Sequence, residues 1–214
     1  MGKKNVPSLV KDEKLIQQRR EEMVKAAVNL FKDKGFHRTT TREIAKAAGF
    51  SIGTLYEYIR TKEDVLYLVC DSIYDEVRTR LQSEIVMDQP GINRLTEAIA
   101  AYFKVMDEMQ DEVLVMYQEV KSLSNEALPY VLQKEIEMTG MFEALIQRSV
   151  DAGHLTLSEN EVSLLGHNIL IQGQMWTFRR WALQKVYTLE EYTDLQIQLL
   201  LHGIELGRVE KSSV

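Results

Sequence analysis

The stretch FSIGTLYEYIRTKEDVL, from Phe50 to Leu66, concentrates side chains that could contact phosphate. Hydroxyl, ammonium and backbone N–H groups are donors that proteins direct at the phosphate oxygens of nucleic acids. The donors in this stretch are Ser51, Thr54, Tyr56, Tyr58 and Lys62. Lys62 also opens the next helix, where its ammonium group and the first N–H groups of the helix could meet one phosphate.

Leu55 and Ile59 lie four residues apart, so they define the buried face of a short helix over about 52–59. This spacing predicts that Tyr56 and Tyr58 face solvent or DNA. The alternative is a pair of core tyrosines that expose only their hydroxyl groups.

A second short helix, predicted over 41–48, precedes this one and ends at a turn that contains Gly49. Two short helices joined in this way have the layout of a helix-turn-helix, whose second helix enters the major groove of DNA. A capping box that begins at Thr40 marks the start of the first helix. Gly53 would let the backbone of the second helix approach DNA closely. Arg42 has the chemistry for a bidentate contact with guanine, although a solvated arginine is the simpler alternative.

Charge is distributed unevenly along the chain of 214 residues, whose formal net charge is −6. Residues 1–64 carry a net charge of +5, and residues 65–214 carry −11. A basic N-terminal third in an acidic chain indicates a localised anionic partner, although uneven solvated charge is the alternative. Five basic residues could add phosphate or minor-groove contacts, or could form a solvated tail. They are Lys3, Lys4, Lys11, Arg19 and Arg20.

The composition is that of a globular protein, with 45% hydrophobic and 27% charged residues. The single cysteine, Cys70, rules out a disulfide within the chain and suits a reducing cytoplasm, and its position on an apolar helix face predicts a packed thiol. No apolar run reaches the length that spans a membrane, and the polar start MGKKNVPS does not resemble a signal peptide. We therefore expect a soluble, cytoplasmic protein without membrane contact.

Apolar residues follow the helical period almost throughout the chain, and no convincing strand alternation or internal repeat interrupts them. Further capping boxes at Thr61, Ser158 and Thr188 mark places where the apolar pattern restarts. We therefore predict an all-α fold of about nine helices. Their expected bounds are 9–34, 41–48, 52–59, 62–87, 92–108, 110–124, 130–152, 159–185 and 189–207.

Residues 23–66 resemble the DNA-binding domain of the TetR (tetracycline-repressor-like) family of regulators. The matching elements are A..LF...G, TT..IA..AG, S.GTLY.Y and KE..L, and the pair Ile59-Arg60 departs from the Phe and polar residue that are usual in the family. The resemblance implies a helix-turn-helix DNA-binding domain over 1–64, with its recognition helix at about 52–59. It also implies a C-terminal helical domain over 65–214 that binds an effector and dimerises.

The same resemblance implies contacts with a double-stranded DNA operator. Arg42 and part of Ile52–Tyr56 match positions that face bases, and other residues match positions that contact phosphates. The full predicted set is Thr40, Thr41, Arg42, Ser51, Ile52, Gly53, Thr54, Tyr56, Tyr58 and Lys62.

The helix expected over 159–185 carries two series of residues at intervals of seven. The first series is Val162, Ile169, Trp176 and Leu183, and the second is Gly166 and Gly173. Because glycine lowers helix propensity by about 1 kcal/mol relative to alanine, two glycines in one helix favour close approach by another helix. The last helix, 189–207, carries Leu195, Leu199, Leu200, Ile204 and Leu206. Two such helices from each chain could form the four-helix bundle of a homodimer, as TetR-like proteins generally do; the alternative is an intramolecular core.

Six of the nine methionines fall between Met87 and Met141, among aromatic residues. Methionine suits adaptable apolar pockets, so the cluster favours a site for a hydrophobic small molecule over a loosely packed core. The stretches YQEVKSL (Tyr117–Leu123) and WTFRRWAL (Trp176–Leu183) resemble fatty-acid-degradation regulators that sense acyl-CoA, which implies an acyl-CoA effector. The expected ligand-binding residues are Tyr102, Met106, Met109, Met116, Tyr117, Glu119, Met138, Phe142, Gln172, Trp176 and Arg179.

Catalysis and metal binding find little support in the sequence. The four histidines show no metal-ligand spacing, and no P-loop, dinucleotide fingerprint or nucleophile elbow occurs. We expect no enzyme activity, no cofactor and no metal. The leading hypothesis is a ligand-responsive dimeric repressor, and the alternative is an architectural or division-linked DNA-binding protein of the same fold without an effector.

Overall fold

The computed structural model describes the backbone of residues 6–84 and 91–211 and the side chains of residues 6–83 and 91–203. Within these ranges the chain contains helices and no β-strand, which confirms the predicted all-α fold. Ten α-helices are described, together with a 3-10 turn over Val120–Ser122. The helices are α1 (Glu13–Lys34), α2 (Thr41–Ala47), α3 (Ile52–Tyr56), α4 (Lys62–Glu84), α5 (Ile92–Glu108), α6 (Gln110–Glu119), α7 (Leu128–Asp151), α8 (Glu159–Phe178), α9 (Arg180–Leu183) and α10 (Leu189–Lys211).

Several helix boundaries differ from the predicted ones. α1 begins at Glu13 rather than at residue 9, because the carboxylate of Asp12 accepts hydrogen bonds from the first N–H groups of the helix. The helix predicted over 110–124 ends at Glu119 and continues as the 3-10 turn. The helix predicted over 159–185 is interrupted at Arg179, which explains why ten helices are described instead of nine. The predicted end of α4 at residue 87 lies outside the described residues.

The four predicted capping boxes are present. In each box, the hydroxyl oxygen of a Ser or Thr accepts a hydrogen bond from the backbone N–H of an acidic residue three positions later. The carboxylate of that acidic residue in turn accepts a hydrogen bond from the backbone N–H of the Ser or Thr. Donors that would otherwise lack a partner are thereby satisfied, which fixes where the helix begins. The boxes that begin α2, α4, α8 and α10 are Thr40–Glu43, Thr61–Asp64, Ser158–Glu161 and Thr188–Glu191.

The chain forms two compact units. Of the described residues, the first unit contains those up to Glu76 and those from Asp111 to Glu135, and the second contains those from Val77 to Gln110 and from Ile136 onward. The first unit thus includes α1–α3, α6 and the first parts of α4 and α7. The domain boundary between residues 64 and 65 remains a prediction.

The core of the first unit is built on α1, α2 and α3. α1 buries Met23, Ala27 and Phe31 and packs on α2, which in turn packs on α3. Ile44 of α2 and Leu55 of α3 are fully buried. The predicted burial of Leu55 and Ile59 is therefore confirmed, although Ile59 lies beyond the end of α3.

Cys70 lies on α4 in the first unit and is fully buried, as its apolar surroundings predict. Burial, followed by the charges of Asp71 and Glu119, raises the pKa of the thiol to about 12. The thiol therefore stays protonated at neutral pH and is not a reactive nucleophile.

In the second unit, the glycines of α8 allow two other helices to approach closely. A Cβ built at Gly173 would lie 2.3 Å from Cε1 of Tyr102 on α5, and one built at Gly166 would lie 2.8 Å from Cγ of Glu143 on α7. Close approach is confirmed, but both neighbours belong to the same chain. The intramolecular alternative thus accounts for the glycines, and also for Val162, Ile169 and Trp176, which are all buried. Leu183 lies beyond the helix on α9, and the side chains of Ile204 and Leu206 lie outside the described residues.

Candidate nucleic-acid interface and effector residues

α2 and α3 form the predicted helix-turn-helix, and their turn is fixed by one glycine and one hydrogen bond. Gly49 has a φ of +78°, which a residue with a Cβ rarely adopts. The N–H of Phe50 donates to the carbonyl oxygen of Ala45 at 2.8 Å. α3 contains five residues, and Ser51 caps it by accepting a hydrogen bond from an N–H of the first turn. The recognition helix is thus shorter than the predicted 52–59.

Most of the predicted DNA-binding side chains are at least partly exposed, and two hydrogen bonds join four of them in pairs. The hydroxyl groups of Thr41 and Tyr56 lie 3.1 Å apart, which links α2 to α3, and Tyr56 is 45% exposed. The hydroxyl groups of Ser51 and Thr54 lie 2.9 Å apart. The exposed or partly exposed members are Thr40, Thr41, Arg42, Ser51, Ile52, Gly53, Thr54, Tyr56 and Lys62. The helix pair therefore presents clustered hydroxyl groups together with one guanidinium group.

Tyr58 is only 4% exposed, so the prediction that both tyrosines face solvent is wrong for this residue. The prediction extended the helical period from Leu55 to Ile59, but α3 ends at Tyr56 and the chain then turns. Past the end of a helix, residues four apart no longer define one face. Tyr58 and Ile59 are therefore both buried, and a contact between the Tyr58 hydroxyl and DNA stays a prediction.

The ammonium group of the partly exposed Lys62 binds the backbone of the chain itself, and its contact with a phosphate stays a prediction. Nζ donates to the carbonyl oxygens of Phe36 at 2.9 Å, His37 at 3.3 Å and Thr39 at 3.0 Å. It also lies 4.2 Å from the centroid of the Phe36 ring. An ammonium group has three N–H donors, and three acceptors surround it here. Lys62 thus holds the loop between α1 and α2.

Arg20 joins the N-terminal segment to the turn that follows the recognition helix, a role that its position in the sequence does not reveal. Its guanidinium group donates to the carbonyl oxygens of Val6 at 2.6 Å and Tyr58 at 3.1 Å. Beside it, the hydroxyl of Ser8 donates to the carbonyl oxygen of Glu57 at 2.9 Å. Arg20 therefore has a structural role rather than the predicted place in a solvated or DNA-binding tail. Two other candidates of that tail, Lys3 and Lys4, lie outside the described residues.

A stabilised carboxylate lies in the first turn of α2. Glu43 accepts hydrogen bonds from Nζ of Lys34 and from the hydroxyl and N–H groups of Thr40. The hydrogen bond from Lys34, followed by those from Thr40, lowers the pKa of Glu43 to about 2. The negative charge therefore persists at neutral pH near the N-terminus of α2, where the helix dipole also favours it.

The predicted effector residues divide between the two compact units. Met116, Tyr117 and Glu119 belong to the first unit, and the other eight belong to the second. Met116 is buried and Tyr117 is exposed. The carboxylate of Glu119 accepts a hydrogen bond from the N–H of Phe36 at 3.1 Å, so it binds the loop between α1 and α2.

In the second unit, the predicted aromatic ligand-binding residues pack as parts of a core. The rings of Tyr102 and Phe142 meet edge to face with centroids 5.3 Å apart, and the Tyr102 hydroxyl donates to the carbonyl oxygen of Leu170 at 3.1 Å. Nε1 of Trp176 donates to the carboxylate of Asp107 at 2.7 Å. The buried methionines of this unit are Met106, Met109 and Met138. This packing fits the alternative of a core, and ligand contacts by these residues stay predictions.

Two cavities of the second unit border α10, one of about 690 Å³ and one of about 430 Å³. Gln172 of the predicted effector residues lines the smaller cavity. Its side-chain carbonyl oxygen is buried and has no hydrogen-bond partner among the described residues. Arg179 is exposed, and its guanidinium carbon lies 5.6 Å from the centroid of the Trp181 ring.

The part of the chain that the structure describes contains neither a metal-binding cluster nor a membrane-spanning helix. No group of three or more His, Cys, Asp or Glu side chains there could hold a metal ion. No helix there is both long and apolar enough to cross a membrane.

Comparisons with known proteins agree with the helix-turn-helix. The sequence model described as "Bacterial regulatory proteins, tetR family" matches residues 23–67, and the one described as "Tetracyclin repressor-like, C-terminal domain" matches residues 88–179. The chain is 30% identical over 197 residues to the HTH-type transcriptional regulator HbdR of Aromatoleum sp. (strain CIB), which covers 92% of this chain and 85% of that protein. It is 28% identical over 166 residues to the HTH-type transcriptional repressor KstR2 of Mycolicibacterium smegmatis, and this match covers 76% of this chain and 78% of that protein.

A solved structure shares the fold. The crystal structure of AibR in complex with isovaleryl coenzyme A and operator DNA has a TM-score of 0.71 and 17% sequence identity, and the match covers 85% of this chain and 97% of that one. Proteins of the matched family are DNA-binding regulators rather than enzymes, which confirms the expectation of a non-enzymatic regulator. The chain belongs to the TetR family of bacterial regulatory proteins.

Proposed function

We propose that this TetR-family transcriptional regulator is a dimeric repressor that binds a near-palindromic operator and releases it when a hydrophobic small molecule of the acyl-CoA class binds. The observation that carries operator binding is the surface around α3, where paired hydroxyl groups and the exposed Arg42 surround a helix of five residues. Regulators of this family bind DNA operators and dimerise.

The size and composition of α3 suit the major groove, which is about 12 Å wide and admits one helix. Gly53 has no side chain, so the backbone of α3 can approach the base edges. Thr41, Ser51 and Tyr56 supply hydroxyl groups for phosphates, and these contacts fix the register of the helix on DNA. Arg42 supplies the guanidinium group that could read a guanine through two hydrogen bonds.

The outer face of α8 and α10 supports the dimer contact. Leu164 and Ile171 lie seven residues apart on α8 and are 63% and 56% exposed, and Leu199 on α10 is 68% exposed. Exposed apolar side chains in this arrangement form a patch that a second helix pair can cover. We assign the predicted four-helix interface to this face.

The small number of base pairs that one helix-turn-helix contacts also favours a dimer. One recognition helix contacts only a few base pairs, whereas a two-fold dimer places two helices in successive major grooves about 34 Å apart. The operator should then be a near-palindrome whose half-site spacing matches that distance.

The acyl-CoA class rests on two observations. The solved structure of AibR contains isovaleryl coenzyme A together with operator DNA. The second unit of this chain buries several methionines, whose flexible side chains can repack around an apolar ligand. Such a ligand releases the operator only if it binds the released state more tightly than the DNA-bound state.

Operator binding is tested by selecting DNA from a random library with the purified full-length protein. We expect enrichment of a near-palindrome with half-sites about one helical turn apart. If repeated selection enriches no palindrome, the protein is not an operator-binding dimer of the proposed kind.

The effector is tested by titrating the complex of protein and selected operator with acyl-CoA esters of increasing chain length while the fluorescence anisotropy of labelled DNA is followed. Coenzyme A alone is the matched control. We expect release by acyl-CoA and none by coenzyme A. A series in which no ester changes either operator affinity or the unfolding midpoint supports a DNA-binding protein without this effector.

The interface is tested by two substitutions on α8. Ile171→Lys places a charge on the exposed outer face and should give a folded monomer in analytical ultracentrifugation, because the charge would be buried on dimerisation. Ile169→Lys, two residues away, places the same charge in the fully buried face and should unfold the protein. A dimer that tolerates Ile171→Lys would exclude the outer face as its interface.

A further inference from the structure

The loop between α1 and α2, residues Gly35–Thr39, is held by hydrogen bonds from two elements that are distant in sequence. Lys62 at the start of α4 donates to three of its carbonyl oxygens. Glu119 at the end of α6 accepts the N–H of Phe36 at 3.1 Å. The ammonium group of Lys62 thus donates to three carbonyl oxygens of the loop, and the carboxylate of Glu119 accepts from one of its N–H groups. All four hydrogen bonds involve a charged group, and such bonds are stronger than those between neutral groups.

The segment around Glu119 makes further contacts of the same kind within the first unit. The hydroxyl of Ser122 lies 3.1 Å from Nε2 of His37. Asp111, at the other end of α6, forms an ion pair with Lys32 of α1. The carboxylate of Glu119 also lies near Gly35, where a built Cβ would be 3.5 Å from its Oε1 atom. α6 and the 3-10 turn therefore hold the end of α1 and the loop at several points.

The loop determines where α2 begins. Thr39 is buried, and its hydroxyl donates to the carbonyl oxygen of Gly35 at 2.9 Å, so the loop closes on itself immediately before the helix. Thr40 follows as the N-cap of α2, and Arg42 lies in the first turn. A displacement of the loop would therefore move the N-cap and the guanidinium group together.

We propose that Glu119 is a positioning residue for operator reading: by accepting the N–H of Phe36, it fixes the loop that places Thr40 and Arg42. This inference rests on the proposed binding of DNA by α2 and α3, and it adds a residue far from the recognition motif, since 83 positions separate Phe36 from Glu119. It also gives Glu119 a role different from the effector contact that its sequence context predicts.

Three substitutions separate positioning from the effect of charge. Glu119→Ala removes the acceptor, and Glu119→Asp keeps the charge but shortens the side chain by one methylene group, so both should lose the bond to Phe36. Glu119→Gln keeps the length and an acceptor oxygen, so it should retain the bond. Gln118→Ala is the matched control, because Gln118 is the exposed neighbour of Glu119 on the same helix.

Two readouts are measured on the full-length protein. The first is hydrogen exchange of the Phe36 amide by NMR without DNA, which should accelerate about tenfold in the Ala and Asp variants and stay within about threefold of wild type in the Gln and control variants. The second is affinity for the selected operator and for scrambled DNA of equal length. The Ala and Asp variants should lose about tenfold in operator affinity and less than about twofold on scrambled DNA.

The proposal is overturned if the Ala and Asp variants keep the wild-type ratio of operator to scrambled affinity, or if Glu119→Asp behaves as wild type in both readouts. It is also overturned if Glu119→Gln is as defective as Glu119→Ala, because charge and not the hydrogen bond would then matter. Should Glu119→Ala fail to fold, the Asp and Gln pair carries the same comparison. Failure of the operator proposal itself is distinguishable, since wild-type protein would then enrich no palindrome while the exchange of the Phe36 amide would still respond.

Discussion

Replacing Gly173 of α8 by alanine should destabilise the second unit, because the new methyl group would overlap the ring of Tyr102. A built Cβ lies 2.3, 2.8 and 3.0 Å from three ring atoms, whereas carbon atoms in contact are normally about 3.5–4.0 Å apart. The ring cannot withdraw easily. Its hydroxyl donates to the carbonyl oxygen of Leu170, and the ring meets that of Phe142 edge to face.

The expected magnitude follows from three contributions. Overpacking of a well-filled core costs about 1–3 kcal/mol. Displacing the Tyr102 hydroxyl weakens a buried hydrogen bond that contributes about 1 kcal/mol. The gain in helix propensity from glycine to alanine offsets about 1 kcal/mol. The net loss should be about 2 kcal/mol, or a decrease of roughly 4–8 °C in the unfolding midpoint of a chain of this size.

Two other glycines in helices of the same unit calibrate the measurement, which is thermal unfolding followed by circular dichroism at several protein concentrations. A Cβ at Gly166 would lie 2.8 Å from Cγ of Glu143, whose carboxylate accepts a hydrogen bond from Ser163, and 3.4 Å from two atoms of Thr139. Gly166→Ala should therefore also destabilise the protein, but by less than Gly173→Ala, because the overlap is smaller. A Cβ at Gly140 of α7 would meet nothing within 4 Å, so Gly140→Ala should stabilise by up to about 1 kcal/mol.

The unfolding midpoint should be lowest for Gly173→Ala, intermediate for Gly166→Ala and highest for Gly140→Ala. An unfolding midpoint of Gly173→Ala equal to or above that of Gly140→Ala would refute the contact with Tyr102. If Gly173→Ala keeps the stability of the monomer but its unfolding midpoint no longer rises with protein concentration, Gly173 would instead lie in an interface between chains. The double variant Gly173→Ala/Tyr102→Leu should recover part of the loss, because it removes the ring atoms that the methyl group meets.

Three further predictions concern the helix-turn-helix. Gly49→Ala should destabilise the protein by about 1–2 kcal/mol in chemical denaturation, because its φ of +78° strains any residue with a Cβ although no atom lies within 4 Å of the new methyl group; an unchanged midpoint would contradict this. Because Lys34 and Thr40 lower the pKa of Glu43 from 4.5 to about 2, the stability that its charge contributes should be complete above about pH 4.5 and should disappear as the pH falls to about 2. Glu43→Gln should remove this part of the pH dependence of the unfolding midpoint, and an unaltered profile would refute the assignment. Arg42→Ala should weaken operator binding by roughly 5- to 100-fold and relax sequence preference at one position of each half-site, whereas an equal loss on all operator variants would show that Arg42 contacts phosphate.

The features that could be predicted from the sequence depend on interactions between residues close together in the chain. α5 has its predicted bounds, Ile92–Glu108, because the apolar period of one helix is visible in its own residues. The four capping boxes are hydrogen bonds between residues three apart, so they too can be recognised locally. The helix-turn-helix combines such local signals with the resemblance of residues 23–66 to the family.

Hydrogen bonds between residues far apart in the sequence could not be predicted. The residue type of Lys62 indicates a donor, but the acceptors that it meets, in Phe36–Thr39, are more than twenty positions away. The carboxylate of Glu119 is likewise visible as an acceptor, whereas its bond to Phe36 depends on the tertiary arrangement of α6. The prediction for Tyr58 is wrong for a local reason: α3 ends two residues before it, and a helix of five residues is too short for its period to be extrapolated.

α8 shows why periodicity can identify a helix without identifying what covers each face. A spacing of seven connects Ile169 to Trp176, which are buried, and it equally connects Leu164 to Ile171, which are mostly exposed. Since both series are apolar, the spacing of seven identifies a helix but does not reveal which of its two apolar faces is covered by the same chain. The glycines reveal only that something approaches closely, and Tyr102 of the same chain proves to be that neighbour for Gly173. In the proposed two-fold dimer, the remaining apolar face of α8 would be covered by the same face of a second chain.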